Sequence, residues 1–218
     1  AQLTTTRARV PFIGHVYATS LVVSLHQLQH DEARLFGPGR LCTLDLDSGS
    51  RWVRTTVPAA VRARLPQPML DAELGVDERG SRTLRQGRRV VVLGARLARP
   101  GDPLPLRPTD PAVLDEDRDG RPGVTIEIGG IVPGRIFVAQ RSWTELSGRQ
   151  LSGASFAGAV RFGNEQVILD ATSRRLSRAL DAEPVPERSW FRLVRLADEA
   201  DCSAATAVAS SWVAERAP

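Results

Sequence analysis

Residues 134–171 alternate apolar and polar side chains over most of their length. In 134–146 (GRIFVAQRSWTEL), Ile136, Val138 and Gln140 fall to one side and Phe137, Ala139 and Arg141 to the other. A period of two belongs to a half-buried strand, because successive side chains of an extended chain leave on opposite faces. Ser147-Gly148 and Gly163-Asn164 punctuate the run, and tight turns there predict a three-strand antiparallel meander over 134–146, 150–162 and 166–171. Residues 89–97, 124–128 and 190–196 read as further strands, the last after the proline-rich turn at 183–186. With roughly nine to eleven strands in all, the expected class is all-β. An antiparallel barrel or sandwich with one or two short helices follows, a lipocalin-like or avidin-like barrel being favoured. Residues 173–181 (SRRLSRALD) make the best short helix.

Two stretches qualify this picture. Residues 20–36 fit an amphipathic helix, with Leu21, Leu25, Leu28 and Leu35 on one face, Ser20 as cap and Gly37 as stop. They fit equally a strand at 16–28, a polar turn at 29–32 and a return strand at 35–46. The hairpin is preferred because everything downstream reads as β, although Gly37-Pro38-Gly39 weakens an unbroken return strand. Residues 99–111 carry five prolines, which bars them from a helix or a sheet interior and makes them a stiff connection draped over the sheet. Without repeats or a shift in composition, residues 1–218 read as a single β-rich domain.

That proline segment leads into Asp115-Glu116-Asp117-Arg118-Asp119-Gly120-Arg121-Pro122-Gly123. Carboxylates at every second position, closed by a glycine, are the first half of a calcium loop: calcium needs six to eight oxygen ligands and a sharp backbone bend to gather them. Asp115, Asp117 and Asp119 are the expected side-chain ligands, and the carbonyl of Arg121 falls where a backbone ligand is usual. The carboxylate expected at the twelfth position is replaced by Ile126. Glu127 or Asp110 could complete the shell, although alternation turns Glu127 away from Ile126 and Ile128. No helix follows, so this is the loop half of such a site, and the ion's expected role is structural. A metal-free Asx turn is the alternative reading. Magnesium is disfavoured, since it keeps its waters and demands a strict octahedron.

A calcium loop suits an extracytoplasmic setting, and so does a disulfide between Cys42 and Cys202. Closing so long a loop would stabilise by roughly 5 kcal/mol as an upper bound; two separate buried thiols are the alternative. No apolar run approaches membrane-spanning length and no signal peptide is recognisable; a start at Ala1-Gln2-Leu3 suits a cleaved precursor or a trimmed chain. All 29 basic residues are arginine, against 25 acids, a pattern of GC-rich codon usage. A net charge of +4 and few aromatic residues argue against a nucleic-acid binder.

Other candidates are weaker. His26 and His30 share a face on a helix, but on a strand they lie about 13 Å apart, and no third zinc ligand accompanies them. Ser152-Gly-Ala-Ser155 lacks a paired histidine and the nucleophile-elbow spacing. Arg82, Arg85, Arg88 and Arg89, flanked by Arg79, Arg96 and Arg99, form a run without acids that could hold an anionic envelope component; a solvated face is the plainer reading. Trp52, Trp143, Trp190 and Trp212 are expected to pack the core or its mouth.

A longer pattern surrounds the loop: Leu93-Gly-Ala-Arg96, the proline segment, Asp-x-Asp-x-Asp-Gly-x-Pro-Gly-Val-Thr from Asp115 to Thr125, Gly134-x-Ile-Phe-Val-x-Gln-Arg141, Phe191-x-x-Val-Arg195 and the late Cys202. Over residues 88–203 it resembles a poorly described group of secreted or lipoprotein-like β-rich proteins of myxobacterial type. The resemblance implies an envelope or extracellular location and a calcium loop, and brings no catalytic residues. The leading expectation is thus an extracytoplasmic calcium-binding barrel of binding or structural role, carrying an apolar or amphipathic ligand. A calcium-dependent hydrolase or glycan-active enzyme is one alternative. An adhesion or docking module using the arginines between 79 and 99 is another.

Overall fold

The structure is a computed structural model that describes residues 1–10, 14–153, 155–177 and 182–216. In chain order it contains β1 (Gln2–Val10), β2 (Gly14–His26), β3 (Gln29–His30), β4 (Arg34–Asp47), β5 (Val53–Thr56), α1 (Ala59–Arg62), β6 (Met69–Val76) and β7 (Arg82–Leu93). There follow β8 (Val124–Gly130), β9 (Gly134–Ser152), β10 (Ser155–Ala171), β11 (Ala182–Pro184), β12 (Trp190–Val194) and α2 (Cys202–Arg216).

All twelve strands belong to one sheet, and every pairing is antiparallel. The order β10-β12-β1-β2-β4-β6-β7-β9, together with the β9–β10 pairing, closes a ring of eight strands. Each strand of the ring neighbours the next along the chain once β3, β5, β8 and β11 are set aside. The chain is therefore an up-and-down barrel, which leaves few exposed edges. The 20–36 stretch is the expected hairpin, with β2 paired to β4. The return strand runs unbroken through Gly37-Pro38-Gly39: on one edge 39–47 pair with β2 and 35–36 with β3, and on the other 34–38 pair with β6. A Cβ on Gly39 would lie 2.5 Å from the His26 ring, so the strands approach only because that residue is glycine.

The expected meander is corrected. Ser147-Gly148 and Gly163-Asn164 lie inside the long strands β9 and β10, which turn between Ser152 and Ser155. The glycines serve packing, not turning. Gly148 and Gly158 are cross-strand partners; a Cβ on Gly148 would lie 2.7 Å from the Phe191 ring, and one on Gly158 would meet the Ser147 carbonyl at 2.1 Å. Gly163 lies opposite Trp143, whose indole nitrogen would be 2.4 Å from an added Cβ. An aromatic ring thus covers the bare backbone of Gly148 and of Gly163 and recovers burial that the missing side chain forgoes. The helix expected over 173–181 is reduced to one 3-10 turn at Arg174–Leu176, and 178–181 lie outside the described residues.

Cross-strand partners share a face, so the register sorts inside from outside. The inner wall carries Leu70, Ala72, Leu84, Leu146, Val160 and Phe191. Toward one end the interior is stoppered by α1 and its flanks, Val61 packing on Val124, Ile136 and Val138 with Val57 and Leu65 beside it. Two covers lie on the outer wall. The proline segment does drape over the sheet: Arg141 Nη1 donates to the carbonyls of Pro100 (2.9 Å) and Asp102 (2.7 Å), and Leu104 is buried on Ala139 and Leu169. The second cover, α2, was not foreseen. Its Ala205, Ala209 and Trp212 pack on Val23 and Trp190, with Val208 beside them. Asp201 caps it, accepting from Ser203 N (2.9 Å) and Ala204 N (3.0 Å).

The Cys42–Cys202 disulfide fastens β4 to the first residue of α2 across 160 positions of sequence. Reduction, or a paired Cys42→Ser and Cys202→Ser change, is expected to lower unfolding free energy by up to about 5 kcal/mol. It should also red-shift the Trp212 emission as α2 frays. Fluorescence-monitored urea unfolding with and without reductant checks both; equal midpoints would contradict this role.

Candidate metal centre and the cleft at the barrel mouth

The acidic loop sits where the edge of β9 passes from one neighbour to the next. β7 ends with Leu93 opposite Gln140, and β8 begins with Val124 opposite Val138. The excursion between them leaves at Gly94 and returns at Gly123, with Leu114 N donating to Gly94 O (3.1 Å) and Gly123 N to Leu114 O (2.8 Å). Gly94 and Gly123 have φ of 71° and 89°, and a Cβ on either would stand 2.4 Å from the Val138 carbonyl. Only glycine meets both demands. The neck is tightened further by Gly94 N donating to the Glu116 carboxylate (3.1 Å) and Glu116 N to Gly123 O (3.0 Å).

Inside that neck the oxygens of Asp115, Asp117 and Asp119 lie within 4.8 Å of one another, a group that could hold a metal ion. Asp115 accepts from Asp119 N (3.1 Å) and Gly120 N (3.0 Å), and Asp119 from Arg121 N (2.9 Å) and the Thr125 hydroxyl (2.9 Å). Asp117 accepts from Thr125 N at 3.3 Å through Oδ2. Its other oxygen, Oδ1, is buried with no hydrogen-bond partner, and the residue is only 9% exposed. At this spacing each pair of charges costs about 1–3 kcal/mol between the water and protein-surface limits. Arg118 adds strain at φ 58°, a region that side chains seldom adopt.

The remaining proposed ligands are placed differently. Glu127 reaches Arg135 Nε at 3.6 Å and is not among the three gathered carboxylates. Asp110 accepts from Ala112 N (2.9 Å) in its own turn. The Arg121 backbone N–H is tied to Asp119 while its guanidinium pairs with Asp170 (3.3 Å) and lies over the Phe137 ring (4.6 Å). Thr125, which gives the loop two of its donors, went unnoticed in the sequence. The signal was its place at the start of a strand, two residues beyond the loop's last glycine.

The arginine run divides. Arg82 shares a face with Leu84 and lines the mouth, whereas Arg85, opposite Glu73, faces outward. Arg88 pairs with Glu145 (2.9 Å) and covers the Trp143 ring (4.0 Å) on the outer surface. A bulge between Gln86 and Arg89 then turns Arg89 inward opposite Thr144, where it donates to the Met69 carbonyl. These four do not make one face.

An open cleft of about 1380 Å³ occupies the barrel mouth. Leu28, Leu35, Leu74, Phe156 and Leu193 contribute apolar wall, and Trp212 lies at its margin. Ser24 and His26 line it too, with Ser24 Oγ 2.8 Å from His26 Nε2. Their pairing depends on the strand placing both inside the barrel, and His26–His30 zinc ligation finds no support in the gathered metal-ligating groups. His26 Nδ1 is buried without a hydrogen-bond partner, so no carboxylate orients the ring as in a catalytic triad. Among the described residues no helix is long and apolar enough to cross a membrane. Known family models, curated proteins and solved structures offer no match to this chain.

Burial, and to a lesser degree the charges of the N-terminal ammonium and of Arg89, lower the His26 pKa from 6.5, while a hydrogen bond with the Gly37 backbone opposes the shift. The unfolded chain therefore takes up a proton near 6.5 that the folded chain refuses. This contribution favours folding less as pH falls through and below 6.5. His26→Leu is expected to flatten the decline in urea midpoint between neutral pH and pH about 5; an unchanged slope would contradict this placement.

Proposed function

We propose that this protein is an extracytoplasmic, calcium-stabilised β-barrel that binds an amphipathic ligand at its mouth. The observation that carries the metal half is Asp117 Oδ1, a buried acceptor with no donor, on a residue whose carboxylate is gathered with those of Asp115 and Asp119. A cation gives that oxygen its partner and cancels the repulsion among the three carboxylates. Calcium suits the site better than magnesium or zinc because the side-chain donors are all carboxylate oxygens. The ion's role is structural: it fixes the neck at Gly94 and Gly123, and with it the proline segment over the outer wall.

The cleft supports the ligand-binding half, since it joins an apolar wall to a few polar groups, the usual composition of a small-molecule site. The disulfide supports an oxidising compartment. The resemblance to secreted or lipoprotein-like proteins points the same way.

Calcium at a hundredfold excess over its dissociation constant should stabilise the chain by about 2.7 kcal/mol relative to chelator. Asp117→Asn should abolish that response, and in chelator should be no less stable than the parent, because one of three repelling charges is gone. Calorimetric melts of both proteins in calcium and in chelator provide the check. An undiminished response in the variant, or none in the parent, would refute the metal half.

A further inference from the structure

We propose that the stoppered end of the barrel docks on an anionic lipid bilayer, placing Trp52, Val53 and Ile131 among the headgroups while the arginines beside them meet the lipid phosphates. This goes beyond the function proposed above and rests on neither the metal nor the mouth cleft. Three segments meet at that end: 48–54 leading into β5, 129–135 joining β8 to β9, and 172–177 after β10. They are tied to one another. Ile131 N donates to the Trp52 carbonyl (3.1 Å), one position beyond the Val53–Gly130 pair. Thr172 N donates to the Arg135 carbonyl (3.0 Å). Ile128 and Leu176 pack on the stopper around Val61. The cleft lies at the other end of β9, where Gln150 lines it.

The tips of these segments are apolar and uncovered. Trp52 is 44% exposed, Val53 43% and Ile131 71%, and Pro133 is exposed as well. A single apolar side chain in water needs no explanation, whereas several on bonded neighbouring tips mark a contact surface. The charge around them has one sign. Together the three segments hold five arginines and no acid. Arg135 is engaged by Glu127 at 3.6 Å. Arg51, Arg54, Arg174 and Arg175 are exposed and make no ion pair among the described residues. Arg51 lies over the Trp52 ring at 4.4 Å, so its charge stands directly beside the apolar tip. Asp47, the acid nearest in sequence to Trp52, accepts from Gly49 N (2.8 Å) in its own turn.

A bilayer surface answers both features. An indole settles at headgroup level, and an arginine lays its stem along apolar surface while its guanidinium reaches phosphate. Each arginine near an anionic leaflet strengthens binding about fivefold. A protein partner suits the tips less well, because a stable pair buries about 800 Å² on each side. Three apolar side chains on two narrow tips do not make such a face.

Flotation of the full, disulfide-bonded chain with vesicles provides the test. Binding to phosphatidylcholine mixed with phosphatidylglycerol should be about tenfold or more tighter than to phosphatidylcholine alone, and should weaken as salt is raised. Trp52→Ser combined with Ile131→Ser should weaken it about tenfold or more, and so should Arg54→Gln combined with Arg174→Gln. Leu151→Ser, 57% exposed at the mouth end of β9, should alter nothing. Melting curves establish that each variant is folded. Binding should persist in chelator, since the acidic loop takes no part. A chain without a calcium response that still floats removes only the metal and upholds the docking surface. No flotation by a folded chain, equal binding to neutral and anionic vesicles, or undiminished binding by the tip variants overturns the proposal. Binding lost in chelator assigns the contact to calcium at the acidic loop and overturns it too. So does a dimer in sedimentation that Trp52→Ser dissolves while vesicles go unbound, which assigns the tips to a second copy of the chain.

Discussion

Carboxylates brought within 4.8 Å of one another repel, and the loop from 115 to 123 has already spent its neighbouring donors on them. Asp117 Oδ1 is what remains, a buried acceptor facing no donor. Both ends of its neck pass so close to one carbonyl, Val138, that a Cβ on Gly94 or on Gly123 would stand 2.4 Å from it. The same carbonyl belongs to the wholly buried strand residue that α1 packs upon from inside. Crowded charge, the strap it terminates and the stopper of the barrel are therefore mechanically continuous, and a cation at the loop would bear on all three.

The barrel itself is a compromise between closure and contents. An eight-stranded ring encloses about enough room for its own side chains or one small ligand, and this one divides the space. One end is filled by Val57, Val61 and Leu65, while the other opens as the cleft. Irregularities of the wall serve that division. The bulge after Gln86 turns Arg89 inward beside His26, and Gly39 lets β4 lie against the His26 ring. Outside, α2 and the proline segment cover apolar wall that the up-and-down path leaves bare.

What the sequence made legible follows from how local each signal is. Alternation and apolar runs pointed to β2, β4, the second half of β7, β8, β9, β10 and β12, because a period of two is written within a few residues, but β1 and β6 of the ring were not named. The acidic loop was readable for the same reason, and the two cysteines proved to be paired. Turn placement failed at Gly148 and Gly163, since a glycine under Phe191 or Trp143 looks, from one strand alone, the same as a glycine in a turn. The covering ring comes from elsewhere in the chain. The α2 helix was legible and passed over: Asp201 as cap, with Ala205, Val208, Ala209 and Trp212 at helical spacing, stood in plain view. The Ser24–His26 pair and the division of the arginines were not, because each depends on which face of the barrel a bulge assigns.

Anomalous diffraction from crystals grown with calcium addresses the metal most directly. The expected result is one anomalous peak per chain at about 2.3–2.6 Å from oxygens of Asp115, Asp117 and Asp119. A loop without that peak at saturating calcium, with Asp117 Oδ1 instead bonded to a side chain or an ordered water, would contradict it.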